Sequence, residues 1–337
     1  MKRIYWRLWI GLQLLLPATL VKAQEAPVNR YLIRVYEDND AMNLFDPGSD
    51  QGYTNGTRLD FFWVPRKRPF LAGLFPQAGP QSTNTHSWSL MHQMITPDNI
   101  VRRVPDREDF PYSGGLFITR GLHSANAHRR LALQSELLLG VMGPPAMAEG
   151  LQKLIHRVIA AQPPRGWDYQ KPTDLLLNYN FSVSQQLSRP APGFEFIGVG
   201  QAQVGTMQNS LAVSGLMRFG KMNPYFDGLI PQFSIDKRRA NRWQLYFTVQ
   251  PGIEWMITNA LLDGGVFNDK PSKGAEAAGP YDVPITLERR KILGHLDLGA
   301  VLTHGNFGAS FTQRSTTSMF KGIGGQGFGN VSVYIAW

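Results

Sequence analysis

Cysteine is absent from the 337 residues. A disulfide framework, a thiol nucleophile and a thiolate metal site are thereby excluded. Beyond residue 23 no window approaches the run of ~18 apolar residues that a spanning helix needs. A membrane-crossing form of this chain must therefore be a closed β-barrel, since only helices and closed barrels satisfy the backbone inside lipid. Neither a GxSxG nucleophile elbow nor an HExxH zinc motif occurs. The glycine-rich GIGGQG near Gly322 precedes a strand pattern and no helix, so it reads as a turn and not as a phosphate cradle. No internal repeat of fixed period is visible.

What is present starts with a leader. Lys2, Arg3 and Arg7 precede an apolar stretch from about Trp9 to Leu20, and small residues end at Val21-Lys22-Ala23. This pattern predicts a cleaved signal peptide over 1–23 and one domain over 24–337. The formal charge of +9 includes Lys2, Arg3, Arg7 and Lys22, which leaves 9 − 4 = +5 for the mature chain. Export without cysteine suits a bacterial envelope protein. Segments of about ten residues alternate apolar with polar or small side chains, as barrel strands do. They begin at Arg30–Tyr36 and continue through Phe307–Arg314 to a last strand, Asn330-Val-Ser-Val-Tyr-Ile-Ala-Trp337. That aromatic end resembles the terminal strand of outer-membrane barrels. Aromatics near strand ends (Tyr31, Trp63, Trp88, Trp243, Trp255, Trp337) suit interfacial girdles. A soluble β-sandwich would also alternate, but the leader and the terminal strand favour an all-β, transmembrane antiparallel barrel.

One segment breaks the β rhythm. From Pro145 to Ala161, Leu151, Leu154, Ile155, Val158 and Ile159 fall at helical spacing, predicting an amphipathic helix near the barrel rim. Glu149, Gln152 and His156 share the other face. His156 is either a solvent-facing side chain or a general base able to take a proton from water. Asn39-Asp40 is either a solvated acidic loop or the start of an oxygen-donor site for a hard cation such as calcium. Tyr53-Thr54-Asn55-Gly56 reads first as a turn, with Asn-Gly supplying positive φ. Asp38, Asp46 and Asp50 read as loop charges.

Several motifs, in order, resemble the outer-membrane lipid A 3′-O-deacylases of Gram-negative bacteria. They are Asn39-Asp40, Tyr53-Thr54-Asn55-Gly56, HQMITPDNI from His92, DREDFPYSGGLF from Asp106, LGVMGPPAMAEGLQKLIH from Leu139 and PRGWDYQ from Pro164. The resemblance is strong from about Tyr31 to Tyr179. It implies a twelve-stranded barrel in the outer membrane that hydrolyses the ester linking the 3′-acyloxyacyl chain to lipid A of lipopolysaccharide. It also implies dependence on calcium, with His156 as base, Asp40 as metal ligand, Asn39 and Thr54 as supporting polar residues, and Arg102 or Arg103 holding a lipid A phosphate or the oxyanion. The chain departs from the family pattern at Gln162, where some members carry glutamate, at Asp174, one methylene shorter than the usual acid, and at Ser113 and Ile95. No nucleic-acid partner is expected, and the barrel is expected to act as a monomer. The alternatives are an outer-membrane phospholipase and a non-enzymatic, porin-like barrel.

Overall fold

The computed structural model describes residues 29–45, 51–67, 69, 71–234, 242–268, 274 and 287–337. The leader and the positions of Asp46 and Asp50 lie outside the described residues. Twelve antiparallel strands close into a barrel. In chain order they start with β1 (Tyr31–Asn39), β2 (Gly52–Trp63), β3 (Thr83–Thr96), β4 (Ser113–Asn126), β5 (Leu131–Met142) and β6 (Asp174–Ala191). β7 (Phe194–Gly205) and β8 (Gln208–Lys221) follow, then a small hairpin, β9 (Gly228–Ile230) and β10 (Phe233–Ser234). β11 (Trp243–Asn259), β12 (Ile292–His304), β13 (Phe307–Thr316) and β14 (Gln326–Ala336) complete the wall. β1 pairs with β14, Leu32 opposite Ala336, so the predicted terminal strand closes the barrel.

Period-two alternation decides which side chains meet lipid. Val35, Leu59, Leu90, Ile118, Leu211 and Val333 are exposed on the outer face. The inner face carries ion pairs instead: Asp60 is held at 2.6 Å by both Arg34 and Arg58, Arg58 also reaches Glu136, and Arg314 holds Asp297. Pairing and side-chain hydrogen bonds satisfy these charges out of bulk water. Among the described residues each end of the lumen holds a buried apolar cluster. The β8–β11 connection folds back inside, and Ile230 and Phe233 join Leu32, Phe62 and Tyr334 in one buried cluster at the strand feet. At the other end Phe110, Leu261 and Phe320 pack on the inward Ile95, Phe117, Leu138 and Leu176. The longest connections, 143–173 and 260–291, lie at one end, which is the outer end; the opposite, periplasmic feet carry the short turns 127–130, 192–193 and 305–306 together with two longer connections, 64–82 and 222–242.

Three expectations are corrected. Residues 53–56 lie inside β2, with a bulge between Tyr53 and Asn55, and the positive φ of +86° belongs to Gly52. The ladder to β1 and β3 overrides the local turn signal. Asp38 is no loop charge; it is buried in β1 and accepts hydrogen bonds from Tyr36 Oη (2.9 Å), Tyr53 Oη (3.0 Å) and Asn330 Nδ2 (2.9 Å). The predicted helix over 145–161 is shorter. Pro144–Ala146 form a 3-10 turn, Met147 takes a left-handed conformation at φ 61°, and the α-helix α1 covers Ala148–Val158.

A candidate active site on the lipid-facing wall

α1 packs against the outside of the barrel. Gly114 of β4 leaves room for it: a Cβ there would lie 2.4 Å from Ala148 Cβ. Met94 of β3, paired with Gly114, is buried with Ala148, Ile100, Tyr112 and Trp167. An amphipathic helix ordinarily buries its apolar stripe, and α1 does the reverse. Gln152 and His156 are 2% and 8% exposed, whereas Leu154 and Val158 are 54% and 70% exposed. Gln152 and His156 face the wall while Leu151 packs on the buried cluster and Leu154, Ile155 and Val158 face outward, an arrangement suited to lipid surroundings.

The connections on either side hold the helix in place. Trp167 is inserted beneath it, donates Nε1–H to Gln152 Oε1 at 2.7 Å and packs on Tyr112 with ring centroids 4.8 Å apart. Arg165 N donates to Ile100 O, and Lys171 N to Tyr112 O, tying residues 163–171 to the 97–112 loop. Burial lowers the Lys171 ammonium below its ordinary value, against the opposing pull of Asp263. His156 Nδ1 lies 2.6 Å from the Gln162 carbonyl oxygen. A carbonyl can only accept, so Nδ1 carries the proton and Nε2 holds the free lone pair of the neutral ring. Gln162 thus orients the histidine through its backbone.

The wall beside α1 is polar where lipid-facing positions are otherwise apolar. Going up β1, the outward series runs Ile33, Val35, Glu37, Asn39; on β2 it runs Phe61, Leu59, Thr57, Asn55. Thr57 Oγ1 donates to Glu37 Oε2 at 2.6 Å, and Asn55 Nδ2 donates to Glu37 and, at 3.2 Å, to the Asp38 carbonyl. On β3, His92 Nε2 donates to Ala146 O at 3.1 Å, fixing the entry to α1. Thr54 sits in the β2 bulge and shares a 2.6 Å hydrogen bond with Thr96. Asn39 caps a 3-10 turn, Asp40–Met42, by accepting from Ala41 N at 2.9 Å; Asp40 Oδ1 accepts from the same N–H at 2.7 Å. This turn lies over β14, where Gly329 leaves room for the Met42 carbonyl.

Asn39, Thr54 and α1 therefore share one outward face at the outer end of adjacent strands, with Asn39 opposite Asn55, Asn55 opposite Met94, and Met94 opposite Gly114. The arginines stand apart from this row. Arg102 is exposed and paired with Asp106 at 2.9 Å, and Arg103 is exposed beside it in the 97–112 loop. The Glu108 backbone N–H, followed by Arg102, holds the Asp106 carboxyl below its usual range. Asp174 accepts from Phe267 N and Asn268 N and so anchors a different loop. Glu37, Asn55, Thr57 and His92 were missed from sequence. The signal for them is the change from apolar to polar along the outward positions of three consecutive strands.

Among the described residues no group of three or more histidine, aspartate or glutamate side chains is placed to hold a metal ion. The oxygen donors of Asp40, Asn39 and Thr54 match calcium in kind, and water or substrate oxygens would have to complete the six to eight ligands it takes.

The family model for outer membrane protein LpxR matches residues 8–337. The structure of LpxR from Salmonella typhimurium is similar with a TM-score of 0.70 at 16% identity, over 90% of this chain and 99% of that one. The translocator domain of the autotransporter NalP from Neisseria meningitidis is similar with a TM-score of 0.42 at 9% identity, over 92% and 89%. No curated protein sequence matches the chain. By the extent of the family match, from residue 8 to the last residue of the terminal strand, the chain belongs to the LpxR outer membrane protein family.

Proposed function

We infer that the protein is a lipid A 3′-O-deacylase that hydrolyses the ester of the 3′-acyloxyacyl chain from the outer leaflet. The observation that carries this reading is a buried histidine with a free Nε2, held outside the barrel between a polar wall and a helix whose apolar stripe faces lipid. Lipid A presents an ester beneath a polar headgroup, and the wall has the same order: polar positions at the rim, apolar positions below. His156 Nε2 takes a proton from water as that water attacks the ester carbonyl, and the imidazolium then returns it to the leaving alkoxide. The Gln162 carbonyl steadies the charged ring through Nδ1–H. Calcium, when bound at Asp40 with Asn39 and Thr54 nearby, would supply a Lewis acid for the oxyanion. Arg102 and Arg103 are assigned to lipid A phosphates, which requires Arg102 to exchange Asp106 for the ligand. Buried apolar clusters at both ends of the lumen weigh against a porin-like role. Mass spectrometry of lipid A from cells expressing wild type or His156→Ala tests the reading. Wild type should remove the 3′ chain and the variant should be slower by ~10²–10⁴-fold; intact lipid A with wild type, or loss of phospholipid chains instead, would overturn it.

A further inference from the structure

Among the described residues the unpaired positive charge is concentrated at the periplasmic feet. Among the described residues the outer loops mix signs, with ion pairs such as Arg102–Asp106, Lys153–Glu149 and Lys321–Glu288. At the periplasmic end Arg66 and Lys67 follow β2, and Arg129 and Arg130 join β4 to β5, all exposed. Arg189, Lys221 and Arg242 continue the series around the feet, with Asp227 the one exposed carboxylate described there. None of these seven cations has an ion-pair partner among the described residues.

The β2–β3 connection adds an apolar element to this basic rim. It leaves the foot of β2 and climbs back over the lipid-facing wall, where Phe75 stacks on Tyr179 of β6 with centroids 6.5 Å apart and Tyr179 Oη donates to Leu74 O at 3.1 Å. Beneath it lies Arg120 of β4, 6% exposed, which donates to Ser87 O and Gly121 O and is enclosed by the rings of Trp63, Trp88 and Phe75. Covering a charge on the lipid face explains Phe75 but not Leu71 and Leu74, which turn away from the barrel and are 39% and 53% exposed. The return of the connection is pinned to the foot of β4: Asn126 Nδ2 donates to Pro80 O at 2.8 Å, and Arg129 packs against Gly79. The two ends of an apolar hook are thus set among four unpaired cations.

We propose that the 64–82 connection is an in-plane anchor for anionic phospholipid of the inner leaflet, with Leu71 and Leu74 in the acyl layer and Arg66, Lys67, Arg129 and Arg130 on the headgroup phosphate. Apolar burial together with attraction to anionic headgroups is how such segments bind a membrane surface. Aromatics also stand at the strand feet, Tyr31 stacked on Trp337 and Lys221 lying 4.5 Å over the Trp243 ring. The site is separate from the one assigned to lipid A, at the opposite end of the strands.

The test uses the full-length protein reconstituted into vesicles of phosphatidylcholine with or without phosphatidylglycerol, then extracted for native mass spectrometry of retained lipid. Wild type should retain phosphatidylglycerol preferentially, by roughly fivefold for each cation engaged, and lose the preference at high salt. Substituting Arg66, Lys67, Arg129 and Arg130 with Gln should abolish the preference while lipid A deacylation and heat-modifiable migration are retained. The indole introduced by Leu71→Trp should be quenched by brominated acyl chains. Equal retention of both lipids by wild type, a preference that survives the four substitutions, or an indole in the Leu71→Trp variant that only aqueous quenchers reach would overturn the proposal. So would binding of a soluble polyanion without any lipid preference, which would assign the rim to a periplasmic partner.

Discussion

At the residue scale the candidate site depends on how few atoms hold His156. One carbonyl, that of Gln162, sets its tautomer, and one side chain, Gln152, keeps the helix face closed on Trp167. Gln152→Ala leaves the buried Trp167 N–H without an acceptor, at a cost of about 1–3 kcal/mol. Limited proteolysis should register this as faster cutting in the 143–173 connection, alongside lower deacylation in a barrel that still migrates as folded; unchanged proteolysis would remove Gln152 from the packing role. The metal assignment has its own check. Chelation should abolish turnover and calcium should restore it, and Asp40→Asn should raise the calcium concentration needed. Full activity in chelator would withdraw Asp40 as a ligand. Sequence made His156, Asn39 and Thr54 visible because each belongs to a motif with an order along the chain. Asn55 shares Thr54's motif but was given no role, and Glu37 and Thr57 lie outside the motifs, since their meaning is in cross-strand register and no local spacing encodes it.

At the element scale, all twelve barrel strands were legible from alternation, because one face of each meets lipid and the other meets a polar lumen. The ends were less so: local turn chemistry at Asn55-Gly56 was outweighed by pairing on both sides, and Pro144-Pro145 opened a 3-10 turn before the helix. The plug around Phe233 and the hook around Leu74 carry no period, so their apolar residues resemble ordinary loops until the barrel is closed. Gly114 is the element-scale hinge of the site, because α1 approaches the wall only where a side chain is missing. Gly114→Ala should push α1 outward and lower deacylation by on the order of tenfold to a hundredfold. Adding Ala148→Gly should recover most of the loss; purely additive effects in the double variant would refute the close-contact account.

At the scale of the whole molecule, the proposed function makes the barrel a scaffold for the site on its outer wall. Arg58, Asp60 and Glu136 form a cluster of paired charge in the lumen, and buried apolar clusters sit at both of its ends among the described residues. Reconstituted in planar bilayers, the protein should give no discrete conductance steps, and removing the plug residues 222–234 should be required before ions pass; steady wild-type channels would contradict a lumen blocked by these clusters. The positive charge, legible in composition only as a total, is polarised toward the periplasmic feet among the described residues.

The outward stripe of Leu154 and Val158 on α1 has a kinetic consequence. A site that opens sideways into the leaflet meets its substrate by diffusion in two dimensions, so its saturation follows the mole fraction of lipid in the membrane and not any bulk concentration. The acyl chains need never leave the hydrocarbon, and the work of extracting a lipid is absent from the reaction. Diluting vesicles in buffer should leave the rate per enzyme unchanged, whereas diluting the substrate with inert lipid in the same vesicles should lower it.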